Sequence, residues 1–278
     1  MRRHSRHNTH QHTHTQGISL LEMAIVISII GLLVGGILVG MNLLRAAEIR
    51  SIVEEEKRIV SAAHLFKDKY RAWPGDLTNA AQYWGMLDAT PATCKATPSN
   101  AKATCNGDGN GRVQESAASY EHLRFWQHLA NAGLYEGKFT GTQALGASAP
   151  YLMWTPDNTP LGRINGTGYG VMWGGDVNGY VTGVDELFEG QYGHLVQFGR
   201  FERFPTLGRT LLAVLTPEEM LNFDLKYDDG RPGTGHIRTW KPDSDVSDCA
   251  TSDNPAIAQY NVNNVDYYDC NVIFADQF

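Results

Sequence analysis

Between Met23 and Leu44 the chain has no charged residue and no proline. These 22 residues match the about 20 needed to cross a hydrocarbon core as helix. The first 17 residues lack acids and lack an apolar run of their own, so they are not a conventional secretory signal cut behind its hydrophobic region. The chain also lacks G-x-S-x-G, H-E-x-x-H and P-loop motifs. His64, His122, His128, His194 and His236 are scattered, and no pair of acids has a fixed separation suited to glycoside hydrolysis. The sequence therefore predicts no enzyme. With 23 basic against 30 acidic residues there is no general basic surface for nucleic acid. Charged residues are scarce at 19% while glycines number 29, which suits a loop-rich domain rather than a helical bundle. No repeat of fixed period is present.

What is there begins with Gln16-Gly17-Ile18-Ser19-Leu20-Leu21-Glu22. The leader ahead of it carries Arg2, Arg3, Arg6 and five of the ten histidines. A cut after Gly17 would leave a new amino group on Ile18 and keep the apolar segment as an anchor. Glu22 then sits inside the start of that anchor, where an unpaired carboxylate costs several kcal/mol. The positive leader fixes orientation, because Lys and Arg stay cytoplasmic. Cleavage removes three arginines, leaving 20 basic against 30 acidic residues, a net charge near −10. Gly31 with Gly35, and Gly36 with Gly40, have the spacing that lets helix backbones approach.

Arg45 to Ala72 continues the helix with an apolar stripe of Ile49, Ile52, Val53, Ile59, Val60, Ala63, Phe66 and Tyr70. Trp73-Pro74-Gly75-Asp76 stops it. Asp76 or Thr78 is expected to cap a short helix ending at Trp84. A second helix is expected over Glu115–Ala132, with Gly133 at its end. Tyr151 to Val214 reads as short antiparallel strands punctuated by glycine. A third helix starts at Thr216-Pro217-Glu218-Glu219, a capping-box pattern, and stops near Asp229-Gly230. Phe274 and Phe278, at the close of a polar tail, are expected to pack on the domain.

These phrases resemble the type IV prepilins and the type II secretion pseudopilins. The carriers are Gly17, Ile18 and Glu22 before the apolar run, the turn Lys69-Tyr70-Arg71-Ala72-Trp73-Pro74-Gly75-Asp76, the phrase Trp126-Gln127-His128-Leu129-Ala130-Asn131-Ala132-Gly133-Leu134, and Asp228-Asp229-Gly230-Arg231-Pro232-Gly233. The resemblance implies an α+β, type IV pilin-like fold in which a long N-terminal helix packs on an antiparallel sheet with short helices. The segments would be a removed leader (1–17), a transmembrane and assembly helix (18–44), its amphipathic continuation (45–72) and a globular head (73–278). It further implies cleavage after Gly17 by a prepilin peptidase, methylation of Ile18, and pairing of Glu22 with a neighbouring subunit's terminal ammonium in a low-dielectric core. The usual first mature residue is phenylalanine, and Ile18 departs from it; Val39 stands where many pilins carry a proline. Partners would be other pilin or pseudopilin subunits, the peptidase, an inner-membrane assembly platform and lipid. The chain would be stored in a bacterial inner membrane and moved to a periplasmic or extracellular filament. A pseudopilin of a secretion machine is the alternative within this class, and a membrane-anchored binding protein or hydrolase is the alternative outside it.

Four cysteines fall as local pairs, Cys94 with Cys105 and Cys249 with Cys270, in segments expected outside the cytoplasm, where disulfides form. A four-cysteine zinc site competes, but the spacing has no C-x-x-C. Two loops place oxygen ligands at spacings related to a calcium loop. One is Asn106, Asp108 and Asn110, with Glu115 as a closing acid. The other is Asp176 and Asn178, with Asp185. Ca2+ is the cofactor such loops would take, and an Asx-rich turn is the plain alternative.

Overall fold

The computed structural model describes residues 19–99, 101–115, 120–142, 153, 155–177, 187–200, 212–242, 248–263 and 268–278. The chain divides into two compact units, Met1–Ala47 and Glu48–Phe278. The division falls within the first helix, α1 (Leu20–Tyr70).

In the first unit the side chains from Leu20 to Leu44 are almost all exposed. The most apolar 18-residue window of α1 has a mean hydropathy of 2.7 and none of it is buried, so this helix is long and apolar enough to cross a membrane.

In the second unit α1 presents one stripe to a core: Ile52, Glu56, Ile59, Ala63 and Phe66 recur at three- and four-residue steps and are all buried. The remaining helices are α2 (Ala80–Trp84), α3 (Pro91–Ala96), α4 (Glu121–Asn131) and α5 (Pro217–Tyr227). α5 starts as its sequence predicts: the Thr216 hydroxyl accepts from the Glu219 amide at 3.2 Å and the Glu219 carboxylate accepts from the Thr216 amide at 3.0 Å. α4 begins later than expected, at Glu121; residues 116–119 lie outside the described part.

The sheet is antiparallel and four-stranded, with strands β1 (Thr167–Val177), β2 (Gly190–Arg200), β3 (Ile237–Arg238) and β4 (Val272–Phe274) in the order β1-β2-β4-β3. Two-residue periodicity sorts its side chains. Tyr169, Val171, Val196, Phe198, Val272 and Phe274 join Phe66, Phe125, Trp126 and Leu129 in the main core. Met172, Leu195 and Ile273 face the other way, under Leu187, Tyr192 and Trp240. The pairing of β1 with β2 shifts register between Trp173 and Gly175 and again between Gly175 and Asp176, an irregularity of the bulge kind. The tail that reads as a polar appendage thus contributes an interior strand, and β4 is buried on both faces. Both cysteine pairs are disulfides, Cys94–Cys105 and Cys249–Cys270, as expected. The fold is α+β.

Candidate functional site

Two groups of polar residues stand out, one at the start of α1 and one where the turn after α1 meets α4. At the first, the Ser19 amide donates to Glu22 Oε2 at 2.8 Å and the Glu22 amide donates to Ser19 Oγ at 3.2 Å. This reciprocal pair is a capping box. Ser19-x-x-Glu22 has its sequence spacing, a signal overlooked when Glu22 is read only as an assembly charge. One hydrogen bond leaves a carboxylate with further lone pairs, so capping and pairing with an outside cation are compatible. Gly17 and Ile18 lie outside the described residues.

The second group is built around the Pro74-Gly75-Asp76 turn. Gly75 has φ +87°, and an added Cβ would collide with the Glu121 carbonyl, so only glycine lets the turn lie against α4. Its amide donates to His128 Nδ1 at 2.9 Å. Nδ1 is therefore the acceptor, and Nε2 carries the proton toward Thr104 Oγ1 at 3.0 Å. Thr104 in turn donates to Gln127 Oε1 at 2.7 Å. Burial holds the His128 pKa down at about 3, and the nearby Arg124 charge adds to this. Arg124 itself is buried and donates to Gln127 Oε1 at 2.7 Å and to the carbonyls of Cys94 and Thr97 at 3.1 Å each. The turn, the first disulfide loop and the Trp126-Gln127-His128 phrase are thus parts of one network. Trp126 fills the core while its two neighbours tie the loop down.

Asp76 is 2% exposed and does not cap α2. Its Oδ1 accepts from the amides of Gly109 at 2.7 Å and Asn110 at 3.0 Å, and its Oδ2 from Gly111 at 2.9 Å. Asn106 Oδ1 instead satisfies the Ala81 amide in the first turn of α2 at 2.9 Å. Gly107 has to be glycine, because a Cβ there would strike the Asp76 backbone. Glu121, in the first turn of α4, accepts from the amides of Asp108 at 3.2 Å and Gln114 at 3.0 Å.

One oxygen from each of Asp76, Asp108 and Glu121 lies within 4.8 Å of the other two. Of the acids expected in this loop, Asp108 belongs to the convergent group. Glu115 is half-buried outside it, and the Asn110 side-chain oxygen accepts from the Arg112 amide at 2.8 Å. Asp76 and Glu121 are the acids that spacing within the loop could not reveal, because they come from 30 residues before it and from the next helix. Burial raises Asp76 to about 6 and Glu121 to about 7; the amides oppose this and the neighbouring acids reinforce it. In the second loop Asp176 sits on β1 opposite Gln191, while Asn178 and Asp185 lie outside the described residues.

His194 is a second structural imidazole. Nε2 accepts from the Val113 amide at 3.0 Å, so Nδ1 donates to the Phe278 carbonyl at 2.8 Å. Its ring stacks on Phe278 at 4.8 Å, and Trp73 lies edge-on at 5.5 Å. Both ring nitrogens of His128 and of His194 are engaged, so the geometry uses these rings to join segments. No family model, curated protein or solved structure matches the chain.

Proposed function

We propose that the chain is a subunit of a type IV pilus-like filament, of the minor or specialised kind that carries a large head. It is held in the bacterial inner membrane as a prepilin with a cytoplasmic N-terminus, cleaved after Gly17, methylated on Ile18 and passed by an assembly platform into a periplasmic or extracellular fibre. The observation that carries this reading is α1. One helix has an apolar stretch of which no part is buried by the chain itself, and a later stretch whose stripe forms the core of the head. A helix face of that kind has to be covered by something. Lipid covers it in storage and neighbouring helices cover it in a fibre. Glu22, its carboxylate held by Ser19, keeps lone pairs for a neighbour's terminal ammonium.

Co-expression with a prepilin peptidase, followed by mass spectrometry of the N-terminus, tests the proposal. The expected product starts at N-methylated Ile18. A chain that keeps its leader, or is cut after Leu44, refutes the reading. Glu22→Ala is expected to insert in the membrane normally and to be missing from filaments; incorporation at the wild-type level would sink the pairing role.

A further inference from the structure

The C-terminal end of α5 gathers three acids. One oxygen from each of Asp224, Asp228 and Asp229 lies within 4.8 Å of the other two. A helix C-terminus carries negative partial charge and favours cations, so acids placed there repel both one another and the helix end. No Lys or Arg forms an ion pair with any of the three among the described residues. Asp224 is wholly buried, and Tyr260 donates its hydroxyl hydrogen to Oδ2 at 2.7 Å. Burial pushes this carboxyl up to about 7, and the Tyr260 hydroxyl opposes the shift. The other oxygen, Oδ1, is buried and closes no hydrogen bond. A buried acceptor without a donor forfeits its hydration with nothing in return, and the loss is greater when the group is charged.

The other two acids are fixed from the side of the following loop. Asp228 Oδ2 accepts from the Ile237 amide at 2.7 Å. Asp229 accepts from the Arg231 amide at 2.9 Å and from the Thr234 hydroxyl at 2.6 Å. Each of these oxygens keeps a lone pair. All the donors the cluster offers are oxygens, the preference of a hard dication.

We propose that a hard divalent cation binds at the end of α5 between Asp224, Asp228 and Asp229, taking the orphaned Asp224 oxygen as a ligand. This site is separate from the Asp76, Asp108 and Glu121 group and does not depend on the filament reading. Its work is to clamp α5 to the loop through Ile237, and so to the start of β3. The test uses the full chain in detergent, titrated with Ca2+ by calorimetry, beside Asp224→Asn and Asp229→Asn. The amide introduced by Asp224→Asn keeps the shape that Tyr260 contacts, and Asp229 is exposed, so at least one variant folds. Each variant is expected to bind one Ca2+ fewer than the wild type, or to bind it at least ~10–100-fold more weakly. Calcium binding by both variants equal to that of the wild type, or no binding by the wild type at millimolar Ca2+, overturns the proposal.

Discussion

Glu56 lies on the buried stripe of α1, 6% exposed, between Ile52 and Ile59. Loss of hydration raises its pKa from 4.5 to about 7, against a lowering by Lys57. The folded carboxyl therefore holds its proton across a range where the unfolded one has lost it. Folding takes up that proton, so the group's stabilising share is complete below 4.5 and is lost as pH rises through 7. At about 1.4 kcal/mol per unit, the loss is on the order of 3 kcal/mol. Glu56→Gln has no proton to give up. Its stability relative to wild type should rise by about that amount between pH 4.5 and pH 8, and any constant cost of burying the amide drops out of the comparison. Asp76, Glu121 and Asp224 are raised in the same sense, so the wild type alone would show a compound slope. The difference between the two chains isolates Glu56. Urea unfolding of the full chain in detergent, followed by the fluorescence of buried Trp73 and Trp126, gives both curves. Parallel curves from pH 4 to 8 would show that Glu56 is hydrated in the fold, and the argument would fail.

Asp76→Asn replaces one acceptor oxygen with a donor that faces amides. It should cost about 1–3 kcal/mol, read as a lower melting temperature with little change in far-ultraviolet circular dichroism; an unchanged melt would count against the three-amide seat. Opening Cys249–Cys270, which closes a loop of sequence separation 21, should cost about 3 kcal/mol by loop-closure entropy, measured as the denaturation midpoint of the double alanine variant. Phe278→Ala removes a ring that meets Trp73, Phe125 and His194. A loss of about 2–3 kcal/mol is expected, which for a unit of this size is a drop of roughly 4–12 °C. A drop under 1 °C in calorimetry would mean the ring is not part of the core.

The features legible in the sequence are those whose cause is local. α1 announces itself by its apolar run and stripe, its stop by Trp73-Pro74-Gly75, and α5 by Thr216-Pro217-Glu218-Glu219. The cysteine pairs follow from short spacing. What escapes is set by partners far along the chain. Asp76 has the right residue type for a cap, and its amides lie 33 to 35 positions away. Val272-Ile273-Phe274 is only three residues long, and it is a strand because β2 and β3 offer it edges on both sides. Ser19 and Glu22 are the reverse case, a local signal in plain view beneath a more conspicuous meaning for the same acid.

The position of β4 constrains the order of events during synthesis. β2 and β3 are made first, yet neither pairs with the other; both pair with a strand that comes after them. A chain emerging N-terminus first would hold an open edge on β2 and an unpaired β3 until residues 272–274 emerged. Such edges invite pairing with other chains. The Cys249–Cys270 bridge closes immediately ahead of β4, and Cys270 itself pairs with Leu215. Oxidation at that point shortens the search for the last strand to a few residues, which couples completion of the sheet to the thiol chemistry around the chain.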